Sequence, residues 1–213
     1  MATDFLFDGP EDARFTLLLA HSAGAPMDSA SMNATAKALA AASIRVARFE
    51  FGYMAARRTG HRKPPPKAET VIPEYIAAVD DLGPTDGPLL IGGKSMGGRV
   101  ASMAADALFD ARRIAGLVCL GYPFHPPGRP TQLRTAHLKD LRTPTLIVQG
   151  TRDEFGIPDE VSTYDLSPSI ELLWLEDGDH DLKPRKAISG FTTAQHLATL
   201  ADRVHAFALH VSA

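Results

Sequence analysis

The chain has 213 residues, 45% of them hydrophobic and 22% charged, with a formal charge of −3. Those proportions belong to a globular protein and exclude a disordered or fibrous chain, while the small negative charge gives no overall attraction to nucleic acid or to an anionic membrane surface. At this length one domain over residues 1–213 is expected, burying roughly 70% of the surface of the extended chain.

The opening stretch MATDFLFDGPEDARF has acidic residues at positions 4, 8, 11 and 12 and no basic segment leading into a long apolar one, so no signal peptide is expected. The chain also lacks an 18-residue apolar run of the kind a membrane helix needs. Phe15 to Ala20 is a continuous apolar run and is predicted to be a strand. After it comes His21-Ser22-Ala23-Gly24-Ala25, which does not carry the G-x-G-x-x-G turn that a dinucleotide site places after its first strand. Ser29 to Ala42 is predicted as a helix and Ile44 to Phe51 as a strand. The segment Tyr53 to Lys67 then reads as a loop at that strand's carboxyl end. Arg57, Arg58, Arg62 and Lys63 make it locally basic, and Pro64-Pro65-Pro66 stiffens it. It is either a solvated loop with a polyproline turn or a recognition element for a carboxylate, a phosphate or an acidic partner. A helix is expected over Glu69 to Leu82.

Leu89 to Gly92 is the next predicted strand and Gly98 to Leu108 the next helix, and between them lies the most informative stretch of the chain. Gly93-Lys94-Ser95-Met96-Gly97 satisfies G-x-S-x-G. A serine held at positive φ in a sharp strand-to-helix turn needs hydrogen-sized neighbours two positions on either side, which explains the glycines and projects the serine Oγ above the sheet. A plain glycine-rich turn that binds phosphate through helix amides is the simpler alternative. A P-loop is excluded, because the first glycine of G-x-x-x-x-G-K-S would fall on Pro88 and the intervening residues are an apolar strand.

Ile114 to Leu120 and Thr145 to Gln149 are predicted strands, joined by Gly121 to Arg142. That connection holds Pro123, Pro126, Pro127 and Pro130 and is too short for a large helical cap. Cys119, the only cysteine, lies in an apolar run; a disulfide within the chain is impossible, and a reducing, cytoplasmic location is expected. A short helix near Pro158 to Tyr164, a strand over Ile170 to Leu175 and a helix over Thr193 to His210 complete the pattern. Strands written as continuous Leu, Ile and Val runs alternating with helices predict an α/β fold, doubly wound, with a mostly parallel sheet covered on both faces.

A serine hydroxyl is a weak nucleophile at neutral pH and needs a histidine to take its proton, with a carboxylate to hold the imidazole in the right tautomer. Asp153 follows the strand ending at Gln149, with Glu154 as the neighbouring alternative, and His180 follows the strand ending at Leu175. Both sit at the carboxyl edge, where doubly wound folds place active residues. Of eight histidines, His61, His125, His137, His196, His205 and His210 fall in loops or amphipathic stretches and are expected to be solvated or half-buried. The amide of Met96 and an amide from Ser22 or Ala23 are the expected donors to an oxyanion, with His21 organising that loop.

The order Ser95, Asp153, His180 is that of the α/β-hydrolase fold. The chain resembles small, cap-less α/β-hydrolases of the dienelactone-hydrolase-like kind. More narrowly, GGKSMGGRVAS, GYPFHPPGRP and QGTRDEFG are similar to the predicted-hydrolase group related to testis-expressed protein 30 and to the third regulatory subunit of the NSL histone acetyltransferase complex. The resemblance implies Ser95, Asp153 and His180 as a triad. A serine hydrolase acting on an ester or thioester of a small acyl substrate is expected, and the basic segment with Arg57, Arg58, Arg62 and Lys63 points to an anionic one. The alternative is an idle hydrolase domain used as a protein-interaction scaffold. Neither a cofactor nor a metal is expected, since Asp177, Asp179 and Asp181 lack the rest of a calcium loop.

Overall fold

The computed structural model describes residues 2–212. Seven strands form, β1 (Leu6–Asp8), β2 (Phe15–Ala20), β3 (Ile44–Phe49), β4 (Leu89–Lys94), β5 (Gly116–Leu120), β6 (Thr145–Gly150) and β7 (Ile170–Leu175). Every residue of β2, β4, β5 and β6 is buried, the condition under which a strand is written as an unbroken apolar run. The strands make one sheet in the order β1-β3-β2-β4-β5-β6-β7. Every neighbouring pair is parallel except β1 with β3.

The helices are α1 (Ala30–Ala41), α2 (Gly52–Arg58), α3 (Ile72–Leu82), α4 (Met96–Asp110), α5 (Pro158–Val161), α6 (Lys186–Ser189) and α7 (Thr193–His210). α1 and α7 cover one face, where Met32, Leu39, Leu200 and Val204 pack on Leu17, Leu19, Val118 and Val148. α3 and α4 cover the other, where Tyr75, Val79, Val100 and Ala104 pack on Leu18, Ile91, Leu117 and Ile147. Successive residues of one strand therefore feed opposite layers, as the two-residue side-chain period requires. The architecture is the doubly wound α/β fold that the sequence predicts.

Departures from the predicted elements are local and have physical reasons. β1 escapes prediction because a three-residue edge strand with two exposed residues carries no pattern. The strand predicted to reach Phe51 stops at Phe49, and Phe51 instead caps α2, so the first part of the expected basic loop is helical. α4 begins at Met96 rather than Gly98, because the glycines that look like a loop in sequence are the helix's first turn. The helix predicted near Pro158 to Tyr164 stops at Val161, and α6 is a single short turn.

The strand order reverses at β2, which has β3 on one side and β4 on the other. The loops after these strands diverge there and leave a crevice at the carboxyl edge, the place where open α/β sheets bind ligands. Ser95 leaves β4 at that crevice and the His21–Ala25 turn leaves β2 beside it.

Candidate active site

Ser95 has φ 52° and ψ −116°, the left-handed side of backbone space that an L-residue enters only under compulsion. Its neighbours show what compels it. A Cβ on Gly93 would lie 2.3 Å from the carbonyl carbon of Gly97, and one on Gly97 would lie 2.6 Å from the carbonyl oxygen of His21. The turn is thus wedged between its own helix and the end of β2, and only hydrogen fits at either glycine.

The Ser95 hydroxyl stands 2.9 Å from His180 Nε2, and His180 Nδ1 lies 3.0 and 2.9 Å from the two oxygens of Asp153. Asp153 is fully buried, and it accepts further hydrogen bonds from the Gln149 amide at 2.9 Å and the Phe155 backbone at 3.0 Å. With its oxygens accepting from those donors, Asp153 faces His180 Nδ1 as an acceptor, which assigns the ring proton to Nδ1 and leaves the Nε2 lone pair for the serine. The Phe155 ring stacks on His180 with centroids 4.1 Å apart, covering one face of the imidazole. Glu154, the alternative acid, is exposed and makes no hydrogen bond to His180.

His21 is fully buried, accepting at Nε2 from the Phe51 amide (3.1 Å) and donating from Nδ1 to the Ser22 carbonyl (2.6 Å). Burial lowers its pKa, so it stays neutral and braces the turn as expected. Ala23 and Met96 line the cavity that contains Ser95, whereas Ser22 does not. The Ser95 side chain leaves the amides at the start of α4 uncapped.

The chain matches the model of the alpha/beta hydrolase domain over residues 13–209. It belongs to the α/β-hydrolase family. Among solved structures it is similar to a lidless α/β serine hydrolase from Xanthomonas campestris, at 21% identity and a TM-score of 0.69 over 98% of this chain and 88% of that one. The dienelactone hydrolase of Anabaena variabilis matches at 19% identity and a TM-score of 0.69, covering 98% of this chain and 91% of its own. Est1E from Butyrivibrio proteoclasticus matches at 16% identity and a TM-score of 0.66, covering 99% and 98%. The fold is that of an α/β hydrolase without a lid.

In this α/β hydrolase the basic segment is placed differently from the sequence expectation. Arg58 turns back to ion-pair with Glu50 at 2.7 Å and Asp28 at 3.0 Å. Arg57 lies over the Tyr53 ring and donates to the Lys63 carbonyl. Arg62 and Lys63 are exposed, and none of the four lines the cavity at Ser95. α2 carries Arg57 and Arg58, whose guanidiniums are taken up by Tyr53, the Lys63 carbonyl, Glu50 and Asp28, and only the Pro65–Lys67 end of the segment lines the cavity. His125 and His196 are buried rather than solvated, His125 bonding Glu160 and His196 the Leu182 carbonyl.

Several contributors were not singled out from sequence. Gln149 reads as one more residue at a strand end, yet it is fully buried and bridges Asp153 to the backbone of Tyr122 and Gly156. Lys94 immediately precedes the serine, and its buried ammonium donates to the His180 carbonyl and lies 3.9 Å from Asp181. Burial lowers its pKa to about 8 against the pull of Asp181, Asp153 and Asp179. A lysine closing the apolar run directly before the elbow serine was the available signal. Among the described residues no helix is long and apolar enough to cross a membrane, and no group of three or more His, Cys, Asp or Glu is arranged to hold a metal ion.

Proposed function

We propose that the protein is a serine hydrolase that cleaves a carboxylic ester or thioester through an acyl-enzyme on Ser95. The observation that carries this reading is the continuous hydrogen-bonded chain from the Ser95 hydroxyl through His180 to the buried Asp153. As Oγ attacks the carbonyl carbon, His180 Nε2 takes the hydroxyl proton, and the Asp153 carboxylate stabilises the imidazolium. The carbonyl oxygen becomes an oxyanion within reach of the amides of Met96 and Ala23. Collapse expels the alkoxide or thiolate, which leaves with the proton held by His180. A water then attacks the acyl carbon, His180 accepts the water's proton and returns it to Ser95 Oγ, and the acid departs.

Kinship with the group around testis-expressed protein 30 and the NSL regulatory subunit rests on GGKSMGGRVAS, GYPFHPPGRP and QGTRDEFG. A cytoplasmic location is our reading of a lone, buried Cys119. The deciding experiment is reaction of the folded protein with a fluorophosphonate probe followed by peptide mapping. Attachment at Ser95, lost in Ser95→Ala, is expected, because only an activated serine attacks phosphorus at a useful rate. Folded protein that stays unlabelled would reject the hydrolase reading and leave the domain as a scaffold.

A further inference from the structure

The cavity at Ser95, about 380 Å³, is lined by Lys67, Arg99 and Arg134 against a single carboxylate, Glu69. These cations come from three separate segments, the end of the polyproline stretch, the first turn of α4 and the β5–β6 connection. Glu69 is engaged by Arg99, whose Nε is buried with no partner. Arg134 is half-buried and its guanidinium has no carboxylate or hydrogen-bond partner among the described residues. Its main chain is nevertheless clamped, the amide donating to the Phe124 carbonyl at 2.7 Å and the carbonyl accepting from the Tyr122 hydroxyl at 3.1 Å. Tyr122 and Phe124 are both fully buried, so the guanidinium projects from a rigid base.

We propose that this cleft binds a carboxylate at the far end of the substrate's acyl group, with Arg134 as its principal donor and Arg99 as the second. The inference rests on the reading of Ser95 as the acyl acceptor and names the substrate class of that site. Burial first, and Arg99 second, depress the Arg134 pKa, so two guanidiniums face one cleft with too little negative charge between them. An anion seated there relieves that repulsion, and a planar carboxylate matches the guanidinium fork. His137, behind them, is lowered to about 4 by burial and then by Arg99, so it adds no charge near neutral pH.

A separate cavity, lined by His180 itself, fixes the orientation. Its other lining residues are Glu154, Asp179 and Asp181, with Arg152 as the only cation. A carboxylate is repelled from that cavity. The leaving group must lie near the imidazole that protonates it, so the acyl end carries the negative charge.

The test compares kcat/KM for the 4-nitrophenyl monoester of adipic acid with that for its neutral terminal amide. The parent should prefer the carboxylate by at least about tenfold, the size expected of a charge-assisted pair, and salt should erode the preference. Arg134→Gln should lower the carboxylate-to-amide ratio to below about threefold, Arg134→Lys should keep an intermediate ratio, and Glu69→Gln, which removes the competing carboxylate, should raise it. Titration of free adipate into Ser95→Ala and into Ser95→Ala/Arg134→Gln reads the same site without turnover, and the second protein should bind about tenfold more weakly. Equal ratios in parent and Arg134→Gln, or equal adipate affinities in the two serine variants, overturn the proposal. If the parent cleaves neither ester, the hydrolase reading falls while the adipate titration still decides the anion site.

Discussion

Two clefts meet at the Ser95–His180 pair, and they differ in charge and in how that charge is assembled. One gathers Lys67, Arg99 and Arg134 from distant parts of the chain. The other gathers Glu154, Asp179 and Asp181 from the two turns that follow β6 and β7. The contrast teaches that a site's charge is set by convergence at the sheet edge and not by runs in the sequence. The densest basic run, around Arg57 to Lys63, lies outside both clefts, and Arg58 within it is neutralised by Glu50 and Asp28.

The severest way to break the comparison is to remove the seam that joins the clefts. Ser95→Ala should abolish ester turnover, and His180→Ala and Asp153→Asn should each reduce kcat by about 10³-fold or more, for carboxylated and neutral esters alike. Steady-state assays with both substrates check this. A mild Asp153→Asn beside a damaging Glu154→Gln would transfer the acid's role to Glu154.

Lys94 approaches the seam from the acidic side, where its ammonium holds the His180 carbonyl. Lys94→Met should lower kcat by up to about 10²-fold through misplacement of the imidazole, with a smaller change in KM. Its effect on stability has a definite sign. With the native pKa lowered from 10.5 to about 8, the unfolded chain holds a proton between those values that the folded chain has released. Parent stability should therefore rise relative to Lys94→Met as pH climbs from 8 towards 10, by up to about 1.4 kcal/mol per unit. Urea unfolding of both proteins at pH 7.0, 8.5 and 10, pH values spanning the roughly two-unit window, checks it; parallel curves would remove the lysine's titration from the account.

The smallest effect sharpens the comparison by its absence. Replacing Arg57, Arg58 and Arg62 together with Gln should leave the carboxylate-to-amide preference within about twofold of the parent, and should cost about 1–3 kcal/mol of stability because the buried Glu50 carboxylate loses its Arg58 partner. A collapse of the preference in that triple variant would return the anion site to the loop.

How much of this was legible in the sequence follows from the kind of information each feature needs. The buried strands were readable because burial on both faces writes an unbroken apolar run, and the elbow because Gly93 and Gly97 sit where no Cβ fits. The serine, histidine and aspartate were placed at one edge by counting strand ends, and the structure brings those three side chains within hydrogen-bond reach of one another. Arg99 and Arg134 were hidden, since one looks like any polar residue in a helix's first turn and the other like any loop arginine. Gln149 was hidden by its position in an apolar strand, and the fate of Arg57 and Arg58 by the short α2, which has little periodicity to reveal it.

The most direct test of the central claim is to catch the acyl group in transit. Protein mixed with a slowly deacylating 4-nitrophenyl ester, quenched in acid within the first turnovers and digested, should yield one acylated peptide, the one containing Ser95, in amounts that match the burst of nitrophenol. Turnover with no adduct, or with the acyl group on any residue other than Ser95, would contradict the account.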